Sequence, residues 1–202
     1  PGMHSSQGEQ DSRRYAKFAR VPCLEPTDSQ EAKDLVAQAI SISELFDVPV
    51  MLRTTTRIAH AHSIVELDLA QDMEPRGEKP SYKVDTSKYV MVPANARLRR
   101  PVMEERIIRL TEFSNTFPGN IIEPGDPQLG IVASGVAYQY AREIFPQASF
   151  LKLGMTYPVP PKLVAQFASQ VKRIIVVEEL DPFIEEEIKL LGIPCEGKSI
   201  FP

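Results

Sequence analysis

Cysteine is scarce in this chain, whose 202 residues include only Cys23 and Cys195 as thiols. Two cysteines so far apart in sequence cannot form a metal site by themselves, and such sparse use is typical of a reducing compartment. We therefore expect two buried or unreactive thiols and a cytoplasmic location.

Basic runs and long apolar runs are also absent. The formal net charge is −4, and without a stretch rich in lysine and arginine we expect no nucleic-acid partner. No apolar stretch approaches the roughly 20 residues that span a bilayer, so we expect no membrane segment. A starting methionine and an export signal are missing too, because the chain opens with Pro1-Gly2-Met3-His4. This opening predicts a piece of a larger protein.

Apolar strands alternate with amphipathic helices at the carboxyl end of the chain. This part reads LGIVASGVAYQYAREIF, then SFLKLGMTYPVPPKLVAQFASQV, then RIIVVEELDPFIEEEIKLLG. The alternation predicts an α/β fold, with parallel sheets covered by helices on both faces. Asp181 is predicted to cap the last helix, and Gly192 to follow its end. The first helix of this part is predicted to bury Val136, Ala137, Tyr140, Ala141, Ile144 and Phe145.

A strand–helix–strand unit is predicted nearer the amino end. Ser5 or Ser6 can cap a first helix with an apolar face of Tyr15, Phe18 and Ala19. Asp28 and Glu31 have capping-box spacing before a second helix, and Val50-Met51-Leu52 reads as a strand. The second helix is predicted to bury Ala32, Leu35, Val36, Ala39 and Ser43.

The middle of the chain has weak periodicity and divides it into three predicted segments. Residues 1–67 and 126–202 carry the α/β patterns, and residues 68–125 read as a linker with one helix. That helix is predicted to begin after Pro101. Its buried face is predicted to contain Met103, Ile107, Leu110 and Phe113.

Three groups of residues are candidates for binding. The polar turn His4-Ser5-Ser6-Gln7 could contact a small polar ligand, or it could be a solvated loop. Arg53 and Arg57 follow a strand, where they could hold a carboxylate or phosphate, or make surface ion pairs. The Ser134-Gly135 turn could present backbone N–H groups to an anion, or Gly135 could allow close packing of strand and helix.

The other polar residues suggest no chemistry by their pattern. His60 and His62 have no partners that complete a metal site. Either Glu178 or Glu179 is expected to cap a local backbone donor. No nucleophile triad is recognisable, so the catalytic residues are unknown.

Several strings of the chain, in order and over nearly its whole length, resemble a known family. They are PGMHSSQGEQDSRRYAKFA, LEPTDSQEAKDLVAQA, PVMLRTTTR, YVMVPANAR, GIVASGVAYQY, LKLGMTYPVP and VVEELDPFIEEEIK. They resemble the alpha subunits of indolepyruvate:ferredoxin oxidoreductases, thiamine diphosphate-dependent enzymes of the 2-oxoacid:ferredoxin oxidoreductase family. The resemblance implies that residues 1–67 are the later half of a thiamine diphosphate pyrimidine-binding domain. It implies a domain similar to the carboxy-terminal domain of transketolase for residues 126–202.

The resemblance also implies an activity that this chain would share with other parts of the enzyme. An aryl pyruvate from amino-acid transamination is decarboxylated on thiamine diphosphate, the acyl group passes to coenzyme A, and iron–sulfur clusters pass electrons to ferredoxin. No GDG…N segment for Mg²⁺ and no cysteine cluster occurs here. We therefore expect the chain alone to be inactive. The implied partners are the rest of the alpha subunit, the beta subunit, ferredoxin and coenzyme A, with a homo-oligomer also allowed.

The resemblance implies specific roles for the candidate residues. His4, Ser5, Ser6 and Gln7 match an MHSSQ turn expected near the thiazolium and substrate. Related pyruvate enzymes have an arginine where this chain has Ser6, so the substrate carboxylate would fall to Arg53, Arg57 or Arg13. The alternative is that the chain is a non-catalytic scaffold or subunit interface of such a complex.

Overall fold

The computed structural model describes residues 10–67 and 83–200. Seven of its segments are strands: β1 (Cys23–Leu24), β2 (Met51–Leu52), β3 (Asn120–Glu123), β4 (Asp126–Ser134), β5 (Ala148–Leu153), β6 (Met155–Tyr157) and β7 (Ile174–Val177). The helices are α1 (Ser12–Ala19), α2 (Ser29–Phe46), α3 (Thr56–His60), α4 (Thr86–Tyr89), α5 (Pro93–Ser114), α6 (Gly135–Ile144), α7 (Pro161–Gln170) and α8 (Phe183–Leu190). None of these helices is both long and apolar enough to cross a bilayer.

The strands form two mixed sheets, in the orders β2-β1-β6 and β3-β5-β4-β7. β1 pairs in parallel with β2, and β4 pairs in parallel with both β5 and β7. The α/β class is therefore confirmed, and the strand–helix–strand unit forms as predicted. The edge strands β3 and β6 run antiparallel to β5 and β1 and were not predicted. Both are short and follow Gly119 or Gly154, in sequence that reads as a turn.

The pairing of β6 with β1 joins the amino-terminal part of the described chain to its carboxyl-terminal half. Cys23 lies opposite Tyr157 in this ladder. Ala16 and Cys23 share one apolar core with Val132 and Leu151 of the second sheet. The division into three domains stays a prediction, but one apolar core contains buried residues from both sheets, from Ala16 and Cys23 to Ile188.

Helix α5 corrects the predicted start after Pro101. It begins at Pro93, and Pro101 lies inside it. Pro93 fits the first turn, where its missing N–H is not needed. Pro101 deprives only the exposed Arg97 carbonyl of its helical donor, and solvent can replace that bond. The predicted packing face is correct at Leu110, which is fully buried.

The buried faces of α1, α2 and α6 differ in part from the faces that the sequence periodicity predicts. In α1, Tyr15 is 53% exposed and Phe18 is 90% exposed, whereas Arg13 and Ala16 are buried. The N-cap of α1 is Asp11, and the predicted caps Ser5 and Ser6 lie outside the described residues. In α2 the buried side chains are Leu35, Ile42 and Phe46, and Val36 is exposed. In α6 Val136, Ala137 and Ala141 are buried as predicted, Tyr138 is buried as well, and Tyr140 and Ile144 are exposed.

The helix caps are partly as predicted. Asp28 accepts a hydrogen bond from the Glu31 backbone N–H at 2.8 Å, as the capping box requires. The Glu31 carboxylate reaches back to the Thr27 backbone rather than to Asp28. In α8 the N-cap is Pro182 instead of the predicted Asp181, whose carboxylate pairs with Arg14. Gly192 has φ +76°, as a residue just past a helix end often does.

The packing of α5 gives a direct test of this fold. Leu110→Ala removes a fully buried side chain and should lower the free energy of unfolding by about 2–5 kcal/mol. The matched control Ile108→Ala, at a side chain 68% exposed on the same helix, should cost less than about 0.5 kcal/mol. Urea denaturation measures both values, and equal losses would contradict the assigned face.

Candidate functional site

Five charged side chains are buried at the carboxyl ends of strands from both sheets, and we call them the strand-end cluster. They are Asp11, Arg13, Glu25, Arg53 and Glu178, each at most 8% exposed. Glu25 follows β1 directly, Arg53 follows β2, and Glu178 follows β7. Ligands of open α/β sheets bind outside such strand ends. The cluster therefore occupies the position at which a site is expected.

Arg13 is the centre of the cluster and comes from the first turn of α1. Its Nε donates to Asp11 Oδ1 at 2.9 Å, and its Nη1 donates to Glu178 Oε2 at 2.7 Å. Its Nη2 donates to Asp11 and to the backbone carbonyls of Glu179 and Asp181, the latter two at 2.8 and 3.2 Å. The guanidinium thus fixes α1 to the loop between β7 and α8 through several charge-assisted bonds.

Glu178 caps the helix that follows it, as one of the two predicted glutamates should. Its carboxylate accepts from the backbone N–H groups of Ile184 and Glu185 at 2.9 and 3.0 Å. A carboxylate at a helix N-terminus satisfies free backbone donors and interacts favourably with the helix dipole. Glu178 therefore supplies the capping interaction that the sequence assigned to Asp181.

Glu25 connects the two sheets on the other side of Arg13. Its Oε2 accepts from Arg53 Nη1 at 2.8 Å and from Ser134 Oγ at 3.3 Å. Its Oε1 accepts from Thr156 Oγ1 at 2.9 Å and lies 3.8 Å from Arg13 Nε. One carboxylate thus contacts Arg53 just after β2, Ser134 at the end of β4 and Thr156 within β6.

The cluster contains three carboxylates and two guanidiniums. Burial alone would raise the pKa of Asp11, but its hydrogen bonds and ion pair with Arg13 outweigh burial and hold that pKa below its usual value. Burial also raises the pKa of Glu178, and there it outweighs Arg13 and the two backbone donors. Since an unpaired buried charge is costly, each carboxylate depends on its arginine.

The predicted anion site at Ser134 and Gly135 lies against this cluster. Gly135 has φ +53°, and a Cβ there would lie 3.3 Å from Glu25 Oε2. The negative group that faces this turn is the protein's own Glu25 carboxylate. Binding of a further anion at Ser134 and Gly135 stays a prediction.

The two predicted arginines have different surroundings. Arg53 is buried, and besides Glu25 it donates to Ser12 Oγ at 3.2 Å. Arg57 lies in α3 and is exposed to solvent, as are His60 and His62 nearby. The polar turn His4-Ser5-Ser6-Gln7 lies outside the described residues, and the first described residues, Gln10 and Asp11, lead directly into the cluster.

The sequence patterns did not point to Asp11 or Glu25, and they suggested a different role for Arg13. It considered Arg13 for a substrate carboxylate, whereas Arg13 pairs with carboxylates of the protein. Arg13 lies outside the predicted apolar face of Tyr15, Phe18 and Ala19, so the local pattern gave no signal that its side chain is buried. Contacts more than 160 residues apart in sequence cannot be recovered from local periodicity.

The two thiols are both unpaired. Burial raises the pKa of Cys23 to about 12, and burial also raises the pKa of Cys195, to about 11. Both groups are therefore uncharged thiols near neutral pH, in agreement with the predicted inert thiols. Within residues 10–67 and 83–200, no three His, Cys, Asp or Glu side chains lie together as a metal site requires.

Removing the central guanidinium tests the cluster. Arg13→Met leaves Asp11 and Glu178 buried without their partner and should lower the free energy of unfolding by about 3–5 kcal/mol. Arg14→Met is the matched control, because Arg14 pairs with Asp181 and Glu186 at the surface and its loss should cost about 1 kcal/mol or less. Thermal or urea unfolding compares the two variants; a small effect of Arg13→Met would contradict the assigned role.

Sequence and structure comparisons place the chain among known proteins. No family model matches it. It is 41% identical over 216 aligned positions to the indolepyruvate oxidoreductase subunit IorA of Pyrococcus horikoshii, covering 100% of this chain and 33% of that subunit. It is 37% identical to the Archaeoglobus fulgidus subunit of the same name, covering 96% of this chain and 31% of that subunit. The chain spans about a third of the length of the curated relatives it matches.

A solved structure supports the fold independently. A 2-oxoglutarate:ferredoxin oxidoreductase from Magnetococcus marinus aligns with 87% of this chain and 38% of its own, at a TM-score of 0.59 and 15% identity. At this identity the match concerns the fold alone. The sequence relatives confirm the resemblance: over nearly its whole length, this chain is similar to about a third of the indolepyruvate oxidoreductase subunit IorA.

Proposed function

We propose that this chain is part of a thiamine diphosphate-dependent oxidoreductase that oxidatively decarboxylates aryl pyruvates such as indolepyruvate. The acyl group would pass to coenzyme A, with ferredoxin as electron acceptor. The observation that carries this proposal is the identity of about 40% with archaeal IorA subunits along the entire chain. The rest of the alpha subunit, a beta subunit and ferredoxin are the proposed partners, in the cytoplasm.

The described residues do not form binding sites for the cofactors of such an enzyme. Thiamine diphosphate supplies the carbanion chemistry when bound, and Mg²⁺ holds its diphosphate. The buried carboxylates of the strand-end cluster are all engaged by arginines or backbone donors, and no metal-binding group occurs among the described residues. Cys23 lies in β1 and Cys195 beyond α8, so the two thiols do not make an iron–sulfur site. Other parts of the enzyme would have to bind these groups.

The proposed contribution of this chain is to hold the polar turn in place. Asp11 follows Gln7 by four residues. Its carboxylate accepts hydrogen bonds from the Arg13 side chain and, at 3.0 Å, from the Arg13 backbone N–H. These bonds fix Asp11, and groups that are already ordered lose less conformational freedom when a substrate binds. This arrangement favours a substrate-proximal role for His4, Ser5, Ser6 and Gln7.

Substitutions in the polar turn test the catalytic proposal. In the intact enzyme, His4→Ala and Gln7→Ala should each lower turnover of indolepyruvate at least about tenfold, because a polar contact to substrate or cofactor is lost. Their melting temperatures should stay near that of the native enzyme. His62→Ala, at an exposed histidine outside the turn, is the matched control and should leave both quantities unchanged.

Arg57 is the proposed partner of the substrate carboxylate. Arg13 and Arg53 already pair with buried carboxylates at 2.7 and 2.8 Å, so their guanidiniums are committed within the protein. Arg57 is exposed in α3, just past the end of β2, on the side where parallel strands end. An exposed guanidinium at this edge can make paired hydrogen bonds to a carboxylate.

Steady-state kinetics of the intact enzyme separate this role from a structural one. Arg57→Ala should raise the KM for indolepyruvate about tenfold or more with little change in kcat, because binding of a non-reacting carboxylate is lost. Arg57→Lys should recover part of the loss, since it keeps the charge. Arg97→Ala, at an exposed arginine of α5, is the control. An unchanged KM in Arg57→Ala would remove Arg57 from the site.

A scaffold role is the second candidate, and one observation favours it. Apolar side chains are exposed on α2 and α5, among them Ile40 at 61% and Leu98 at 73%. Exposed apolar surface is typical of faces that other subunits cover. If His4→Ala and Gln7→Ala leave turnover unchanged, the scaffold role becomes the better account.

A further inference from the structure

A cavity of about 650 Å³ lies where three helices meet. The helices are the carboxyl end of α2, the short helix α4 and the middle of α5. Its volume is within the range of small-molecule sites in proteins. The lining consists of Ser43, Glu44, Asp47, Val48, Pro49, Lys88, Tyr89, Arg99 and Arg106.

Three cations in this cavity converge on one carboxylate. Lys88 Nζ lies 2.6 Å from Asp47 Oδ1, a full hydrogen-bonded ion pair. Arg106 Nη2 and Arg99 Nη2 lie 3.3 and 3.8 Å from Asp47 Oδ2. These two distances exceed those of good charge-assisted hydrogen bonds, so Asp47 satisfies the two guanidiniums only in part.

The cavity also has more positive than negative charge. Lys88, Arg99 and Arg106 face the carboxylates of Asp47 and Glu44, which leaves one positive charge in excess. Arg99 and Arg106 are seven residues apart on α5 and therefore share one face of the helix. The Arg106 side chain is only 15% exposed, so bulk water reaches few of its donors. Donors of a sheltered guanidinium are stabilised by an anionic acceptor.

We propose that this cavity binds a phosphate group, free or carried on an organic molecule, through Lys88, Arg99 and Arg106. A guanidinium can donate two parallel hydrogen bonds to the oxygens of one phosphate, and a lysine adds a further charged donor. Asp47 competes with the phosphate for the same three cations. Stabilisation of the α2 carboxyl end by nearby cations accounts for Lys88. Helix stabilisation does not account for the guanidiniums of Arg99 and Arg106, which lie farther from Asp47 and line the open cavity.

Titration calorimetry with the intact protein tests the site, using inorganic phosphate, pyrophosphate and ADP as separate probes. At least one probe should bind saturably, and binding should weaken as salt rises. A stronger signal for ADP would identify an organic phosphate, and a stronger signal for phosphate or pyrophosphate a free one. Arg99→Gln should weaken binding about tenfold, the loss of a charged hydrogen-bond pair. Asp47→Asn should tighten binding severalfold, because the competing carboxylate becomes neutral.

Arg173→Gln is the matched control, because Arg173 is an exposed arginine paired with Glu196 and lines a different cavity. It changes the net charge as Arg99→Gln does and should leave binding unchanged. Far-ultraviolet circular dichroism confirms that each variant folds; if Arg99→Gln does not fold, Asp47→Asn still decides the question. The proposal is overturned if no probe binds, if Arg173→Gln weakens binding equally, or if Asp47→Asn abolishes it. The outcome is independent of the turnover measured with indolepyruvate.

Discussion

The buried guanidinium of Arg13 is the interaction on which the rest of the structure depends. It is 1% exposed and contacts Asp11 at the start of α1, Glu178 at the end of β7 and the backbone beyond β7. A charge in such a position is stable only with ordered partners, so it holds its neighbours in one arrangement. Glu25 and Arg53 extend the same constraint to the first sheet. The strand ends of both sheets are thereby fixed against each other.

Local sequence patterns predicted the regular elements well where packing follows periodicity. The strand Ile174–Val177 has the predicted bounds, because consecutive β-branched residues suit a strand covered on both faces. Asp28 caps α2 as predicted, because the capping bond is made within three residues. Leu110 lies on the predicted face of its helix for the same reason, since its neighbours are three and four residues away.

The patterns failed where distant charges decide what is buried. Arg13 displaces Tyr15 and Phe18 from the core side of α1, since its carboxylate partners come from elsewhere in the chain. The short strands β3 and β6 form against β5 and β1 and carry too few residues for a periodic signal. The candidate site was found only in part: Arg53 was identified, but its engagement with Glu25 depends on the tertiary fold. The sequence patterns therefore indicated the strand ends as the place of a site but not the ion pairs between the buried charged side chains there.

The described residues provide a rigid frame whose charges are mostly satisfied within it. The proposed chemistry is assigned to the polar turn that precedes Asp11 in the sequence and to the exposed Arg57. This division suits a chain that spans about a third of the length of its curated relatives. In the proposed enzyme this frame would contribute to turnover without touching the reacting atoms, because preorganised surroundings lower the cost of orienting a substrate.

A double-mutant cycle between Arg13 and Glu178 tests the coupling of the two strand ends most directly. The free energies of unfolding of native protein, Arg13→Met, Glu178→Leu and the double variant give the interaction energy of the pair. We expect a coupling of about 2 kcal/mol or more, because each charge alone is buried without its partner. A coupling near zero would show that the two residues act independently and would contradict the central role of this ion pair.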